Sequence, residues 1–104
     1  MQKVSDIRVV SECFDDLKAG QHFYNQSEQG VGDYFYDSII ADIHSLILYA
    51  GIHPKVVGLY RMAAKRFPYF IYYFTENTVV YVVATLPMRR HPKWIIKQLQ
   101  LRQT

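Results

Sequence analysis

Residues 65–83 read KRFPYFIYYFTENTVVYVV. Two runs rich in aromatic and β-branched residues flank a short polar break at Glu76 and Asn77, which is the pattern of a β-hairpin. The two runs barely alternate between apolar and polar residues, since residues 69–74 are all large and residues 79–83 carry no charge. Such a hairpin needs cover on both faces, or it presents one face to a partner.

The composition is that of one ordinary globular domain. The chain has 104 residues, of which 50% are hydrophobic and 20% are charged. These values exclude a disordered chain and suit one domain over residues 1–104, with a core from about residue 7 to 96 and a basic C-terminal tail. The N-terminal MQKVSDIRVV lacks the apolar core of a signal peptide, and no run has the length of a membrane span. We therefore expect a cytoplasmic protein with no membrane partner.

The two halves of the chain carry opposite charge. Residues 1–53 contain eight acidic and three basic residues, which gives −5, whereas residues 54–104 contain nine basic residues and one acidic residue, which gives +8. A basic half of this kind predicts an anionic partner, either nucleic acid or an acidic protein surface. The alternative is that helix surfaces are acidic and the tail basic, with no partner implied.

Two amphipathic helices precede the hairpin. The first is predicted over about 11–27, and Cys13 lies on its apolar face, which indicates a core side chain and not a reactive thiol. The second is predicted over about 32–50, where apolar residues recur at three- and four-residue steps. Gly30 and Gly32 predict the turn between the helices. They do not form a phosphate-binding loop, because no strand precedes them and no Gly-Lys-Ser/Thr follows.

The remaining segments predict strands and a short final helix. A strand is expected at 7–10, another at 59–66 (LYRMAAKR), and a helix that begins at Pro92. Helices grouped before hairpin strands predict an α+β fold, in which a short N-terminal strand and a helical hairpin pack on one face of a twisted antiparallel sheet. The other face must then be covered by the C-terminal tail or by a second protein.

No metal or cofactor is expected. His22, His44 and His53 show no ligand spacing with one another or with Cys13, and no acidic cluster completes a site.

Three motifs together resemble the RelE/ParE superfamily of toxins from type II toxin–antitoxin systems. They are GVGDYF at 30–35, KRFPYFIYY at 65–73 and RRHPKW at 89–94. The likeness runs from about Val9 to Ile95, and the ParE branch is the nearer one. The resemblance implies a RelE/ParE-like fold and a bacterial toxin neutralised by a cognate antitoxin, whose disordered segment folds around the toxin. It also implies that operator DNA is bound only through the antitoxin.

The two branches of the superfamily imply different targets. ParE-like members bind DNA gyrase, and no catalytic residue is then expected. RelE-like members cut mRNA on the ribosome, which requires a base, an acid and cations around the phosphate. The candidates for that chemistry are Arg61, Lys65, Arg89 and His91. Phe70 stands where the nuclease branch tends to carry an arginine, and Pro87 stands where many members carry a histidine, so both count against the nuclease. A third alternative is a degenerate, non-toxic partner of the antitoxin.

Binding of the target or the antitoxin is assigned to bases and aromatic residues on or near the exposed sheet face and in the tail. Arg61 and Lys65 are predicted to share a strand face, which either contacts an anionic partner or is simply solvated. Trp94 either packs on the core or anchors an interface, and Tyr72 either stacks on bases or packs within the sheet. The full set is Arg61, Lys65, Arg66, Tyr72, Arg89, Arg90, Lys93 and Trp94.

Overall fold

The computed structural model describes residues 3–103; the predicted domain's end residues 1, 2 and 104 lie outside the described part. The elements in chain order are β1 (Asp6–Val9), α1 (Ser11–Ser27), α2 (Val31–His44), α3 (Leu46–Tyr49), β2 (Lys55–Val56), β3 (Leu59–Ala63), β4 (Tyr69–Glu76), β5 (Val79–Pro87) and α4 (Pro92–Arg102).

The strands form one five-stranded sheet in the order β1-β5-β4-β3-β2. The hairpin β4–β5 lies at the centre, and Asn77 adopts a left-handed conformation (φ 56°) in its turn. β1 runs parallel to β5, with Ile7 opposite Val80, whereas the other neighbouring strands are antiparallel. The predicted α+β fold, with helices grouped on a largely antiparallel sheet, is confirmed.

The helical hairpin α1–α2 covers one face of the sheet. Two glycines allow the two helices to approach closely, because a Cβ atom on Gly20 would lie 2.4 Å from the Phe35 ring and one on Gly32 would lie 2.0 Å from the backbone oxygen of Gln21. Both distances are far inside van der Waals contact, so only glycine fits at either position. The buried core on this face contains Cys13, Leu17, Phe35, Ile39, Ile43, Leu46, Ala50, Met62, Tyr69, Ile71, Tyr73, Val80 and Val82.

A β-bulge sets the side chains of the opposite face. Tyr72 pairs with Ala84 and Tyr73 pairs with Val82, so Val83 is an extra residue in β5. Val83 and Ala84 consequently pack on the same side of the sheet although they are adjacent in sequence. The bulge therefore widens the apolar surface that lies away from α1 and α2.

Three boundaries differ from the sequence prediction. The helix expected over 32–50 breaks at Ser45, whose hydroxyl donates to the Asp42 carbonyl oxygen at 2.5 Å and so offers the backbone a competing partner. The strand expected over 59–66 ends at Ala63, because the Lys65 N–H donates to the Asp42 carboxylate at 3.0 Å and leaves the sheet ladder. The two-residue strand β2 lies between the predicted helix and strand, where the sequence predicted no element.

Candidate partner-binding surface

The second face of the sheet is covered in part by α4. Ile95 and Leu99 are buried there on a second apolar cluster that includes Tyr72, Ala84 and Leu86. The C-terminal tail, one of the two covers that the sequence allowed, therefore closes the part of this face nearest the end of β5.

A buried ion pair fastens the end of α4 to α1. The Arg102 guanidinium donates to both carboxylate oxygens of Asp16, at 2.6 and 2.8 Å, and also to the Val83 carbonyl oxygen at the bulge, at 3.2 Å. The Thr85 N–H donates to the same carboxylate at 2.9 Å. Hydrogen bonding to Asp16 raises the pKa of Arg102. We call this arrangement the Asp16–Arg102 clasp; the sequence analysis did not detect it, because no local pattern links residues 86 positions apart.

Beyond the end of α4 the same face remains open. A hollow of about 510 Å³ is bounded by Leu59, Phe74 and Val83 on the sheet and by Gln103 after α4. Phe74 stacks on Tyr81 with ring centroids 4.9 Å apart, and both rings are half-buried. Apolar sheet surface is thus available to a partner, as the near-absence of alternation in the hairpin predicted.

A narrower groove lies between β3, β4 and the start of α4. Its volume is about 160 Å³, and we call it the Arg61–Arg90 groove. The Arg61 guanidinium lies over the Phe70 ring at 4.3 Å, and that of Arg90 lies over Trp94 at 4.0 Å. The residues that line it are Val56, Arg61, Phe70, Tyr72, Met88, Arg90, Pro92, Ile95 and Ile96.

Arg89 points to a different place. Its guanidinium lies over the Phe23 ring of α1 at 5.0 Å, and it lines a cleft of about 370 Å³ between α1, the end of β5 and α4. Arg90 lines both hollows. The adjacent arginines of the RRHPKW motif therefore stack on rings of two different elements, which fixes their directions.

Two aromatic residues of the predicted set are parts of the packing. Tyr72 is only 1% exposed, and burial raises its pKa while the nearby Arg61 charge opposes that rise. Tyr69 and Tyr73 are buried as well, so base stacking on these three rings is excluded and the packing interpretation is correct. Trp94 is half-buried against the second cluster, where it carries Arg90 on its face.

The remaining predicted residues occupy exposed turns and the first turn of α4. Lys65 and Arg66 are exposed in the turn between β3 and β4, so the expectation that Arg61 and Lys65 share a strand face is wrong, since the strand ends before Lys65. Lys93 is exposed on α4, and its N–H donates to Nδ1 of His91 at 3.0 Å. His91 is therefore the N-cap of α4.

None of the hollows described above is lined by more than one of the four nuclease candidates. Arg61 and Arg89 line separate hollows, Lys65 lies in the turn after β3, and His91 uses one ring nitrogen to cap α4. Proton transfer at a phosphate requires a base and an acid within hydrogen-bonding reach of the same reacting group. The hollows that Arg61 and Arg89 line therefore give no support for such a set among these four residues.

The groove walls and one further apolar surface were not predicted from the sequence. Phe70 and Ile96 line the Arg61–Arg90 groove but were not predicted as binding residues. The segment around α3 exposes four large apolar side chains: Ile47, Leu48, Tyr49 and Ile52. Ile47 continues the apolar period of the helix predicted over 32–50, so its exposure was not expected.

Residues 3–103 contain neither a metal site of the usual side chains nor a membrane-spanning helix. No group of three or more histidine, cysteine or acidic residues able to hold a metal ion occurs there. Within the same range, no helix has the length and apolar character needed to cross a membrane.

A solved structure shares this fold. No protein-family model matches the sequence, and no curated protein matches it. The chain is similar to a chain in the structure of the chromosomal ParDE TA system from P. aeruginosa, with a TM-score of 0.74 and 14% sequence identity. The match covers 84% of this chain and 98% of that chain. At this identity the likeness establishes the fold, and it confirms the RelE/ParE-like architecture that the motifs predicted.

Proposed function

We propose that this protein is the toxin of a type II toxin–antitoxin system, which inhibits bacterial growth in the cytoplasm and is neutralised by a cognate antitoxin. The observation that carries the proposal is the fold likeness to nearly the whole of a chain from a ParDE toxin–antitoxin structure. The motifs GVGDYF, KRFPYFIYY and RRHPKW, which resemble those of the RelE/ParE superfamily, support it independently. They lie on the turn into α2, on the turn and strand before the bulge, and at the start of α4.

The charge and apolar surfaces fit a protein partner of this kind. Among residues 3–103, the only ion pairs are Arg8–Asp6 and Arg102–Asp16, so the other bases of the C-terminal half have no acidic partner within that range. A disordered acidic segment that folds on binding would supply carboxylates to these bases and apolar side chains to the open hollow. Operator DNA would be contacted by the antitoxin and not by this chain.

For the target we propose DNA gyrase, with no catalytic residue and no cofactor involved. The separation of Arg61, Arg89 and His91 and the apolar Phe70 in the groove support a ParE-like activity over ribosome-dependent cleavage of mRNA. Arg61, Arg90 and the exposed bases Lys65, Arg66 and Lys93 are the residues that we assign to gyrase or antitoxin contacts. Arg89 belongs to the same set through the cleft beside α1.

The direct test is a gyrase supercoiling reaction with excess purified protein. We expect the protein to cause loss of supercoiling or accumulation of cleaved DNA complexes. The doubly substituted Arg61→Met, Arg90→Met protein should cause neither. Arg8→Met is the matched control, because Arg8 forms a solvent-exposed pair with Asp6 on the edge strand β1. Full gyrase activity at excess protein would rule out the gyrase target.

Mapping of mRNA in expressing cells separates the two branches of the superfamily. Codon-phased cuts that disappear in Lys65→Ala or Arg89→Ala would establish the nuclease instead, whereas we expect intact transcripts.

A further inference from the structure

The Arg61–Arg90 groove combines a small apolar slot with two cations at its rim. Its volume of about 160 Å³ is close to the ~150 Å³ that accommodates a benzene-sized group. Ile95 and Ile96 of α4 form one wall and Phe70 and Tyr72 of β4 form the other. The slot therefore has room for one large apolar side chain and no more.

The two arginines present N–H donors at this slot that have no carboxylate partner among residues 3–103. Each guanidinium has its flat face on a ring, Arg61 on Phe70 and Arg90 on Trp94. Stacking occupies the face and leaves N–H groups at the edge that can donate to a carboxylate, and Arg61 also hydrogen-bonds the Tyr72 side chain. No acidic side chain of residues 3–103 lies within ion-pair distance of either guanidinium.

We propose that the Arg61–Arg90 groove is a binding site for an acidic peptide segment, in which one large apolar side chain enters the slot and flanking carboxylates pair with Arg61 and Arg90. Identifying that segment as part of an antitoxin rests on the proposed function. The binding of an acidic peptide at this site does not depend on it. The site is complete in the folded chain, because the stacking rings hold both arginines in place before the ligand arrives.

Nucleic acid fits this groove less well than a peptide does. Bases bind single-stranded sites by stacking on open aromatic faces. Here Tyr72 is buried, and Phe70 and Trp94 each carry a guanidinium. Phosphates could contact the arginines, but they would leave the apolar slot between them unfilled.

The chain contains its own reporter for the experiment. Trp94 is the single tryptophan and lies directly under Arg90. Titration with a short synthetic peptide, one leucine flanked by glutamates on each side, should change its fluorescence, and binding should weaken at high salt. Two matched peptides replace the leucine by serine or all the glutamates by glutamine.

We expect Arg61→Met and Arg90→Met each to weaken the leucine–glutamate peptide about tenfold or more, measured by anisotropy of a labelled peptide so that loss of the Trp94 signal does not confuse the result. Arg8→Met should bind normally, and circular dichroism verifies that all three variants fold. Both matched peptides should also bind at least about tenfold more weakly.

The proposal is overturned if the serine peptide binds as well as the leucine peptide, since the slot then contributes nothing. It is equally overturned if the Arg61 and Arg90 variants bind normally, or if an oligonucleotide of equal charge competes better than the peptide. These measurements use synthetic ligands and do not depend on growth inhibition. Failure of the peptide to bind therefore does not contradict the proposed toxin function, and failure of the toxin assay does not contradict the peptide site.

Discussion

The Arg102 guanidinium contacts both carboxylate oxygens of Asp16, at 2.6 and 2.8 Å, and joins the last turn of α4 to α1. Both side chains are nearly buried, at 12% and 11% exposed. The same carboxylate accepts from the Thr85 N–H, so one acidic side chain links α1, β5 and α4. The cover on the second sheet face is thus held by this charged group together with the buried side chains of Ile95 and Leu99.

Removal of one partner of the clasp should destabilise the protein. Arg102→Met leaves the Asp16 charge nearly buried without its cation, and we expect a loss of about 2–4 kcal/mol in the free energy of unfolding. Urea denaturation measures it. Arg8→Met, which breaks the exposed pair with Asp6 (63% and 51% exposed), should cost less than about 1 kcal/mol. Equal effects of the two substitutions would contradict the structural role of the clasp.

The close approach of α1 and α2 at Gly20 should be sensitive to one methyl group. Gly20→Ala places a Cβ 2.4 Å from the Phe35 ring, and overpacking of this kind typically costs about 1–3 kcal/mol. The control is Ala19→Gly, on the exposed side of the same helix, where only the loss of helix propensity of about 1 kcal/mol is expected. Combining Gly20→Ala with Phe35→Leu should recover part of the lost free energy of unfolding, measured by thermal or urea unfolding. If nothing is recovered, the Phe35 ring is not what the added methyl group meets.

Cys13 should be inert in the folded protein. Its side chain is 0% exposed, and burial raises its pKa to about 12, so almost no thiolate exists at neutral pH. Labelling with an aromatic disulfide reagent should follow global unfolding and speed up with urea. Rapid labelling without denaturant would show that α1 opens locally.

Acid should weaken the fold through His53. The Tyr73 hydroxyl accepts from the Gly51 N–H at 2.9 Å and lies 2.6 Å from Nδ1 of His53, and burial lowers the pKa of His53 below its ordinary 6.5. Because the folded pKa lies below the unfolded one, stability is complete above about pH 6.5 and is lost as the pH falls from there through the folded pKa. Urea midpoints at pH 7.5 and 5.5 should differ less for His53→Gln than for the parent protein.

The control for His53 is His22→Gln, which replaces an exposed histidine on α1. It should keep the parent's pH dependence. If both histidine variants behave like the parent, the Tyr73–His53 contact does not link pH to stability.

Much of the fold was predictable because its signals are local. The hairpin follows from two runs of β-branched and aromatic residues around a polar break. The helix α1, which ends at Ser27, follows from the helical spacing of its apolar residues. The break at Ser45 was not predictable, because Leu46 and Ile47 continue the helical period although Ile47 faces solvent. The strand end at Ala63 depends on Asp42, which is distant in sequence and captures the Lys65 N–H.

The candidate surface was predictable in its residue types but not in its arrangement. The sequence identified Arg61, Arg90 and Trp94, since bases and a tryptophan near a basic tail indicate binding. It could not show that each guanidinium stacks on a ring or that Tyr72 is buried, since both depend on how α4 docks onto β4. That docking includes a contact between residues 16 and 102, for which no sequence period exists.

The central claim is that this chain is a growth-inhibiting toxin neutralised by a second protein, and the growth of bacteria that express it measures this most directly. We expect arrest when the chain is expressed alone at a level verified by immunoblotting, and recovery when the product of the neighbouring reading frame is expressed with it. Undiminished growth with folded protein present would contradict the account and favour a degenerate, non-toxic chain.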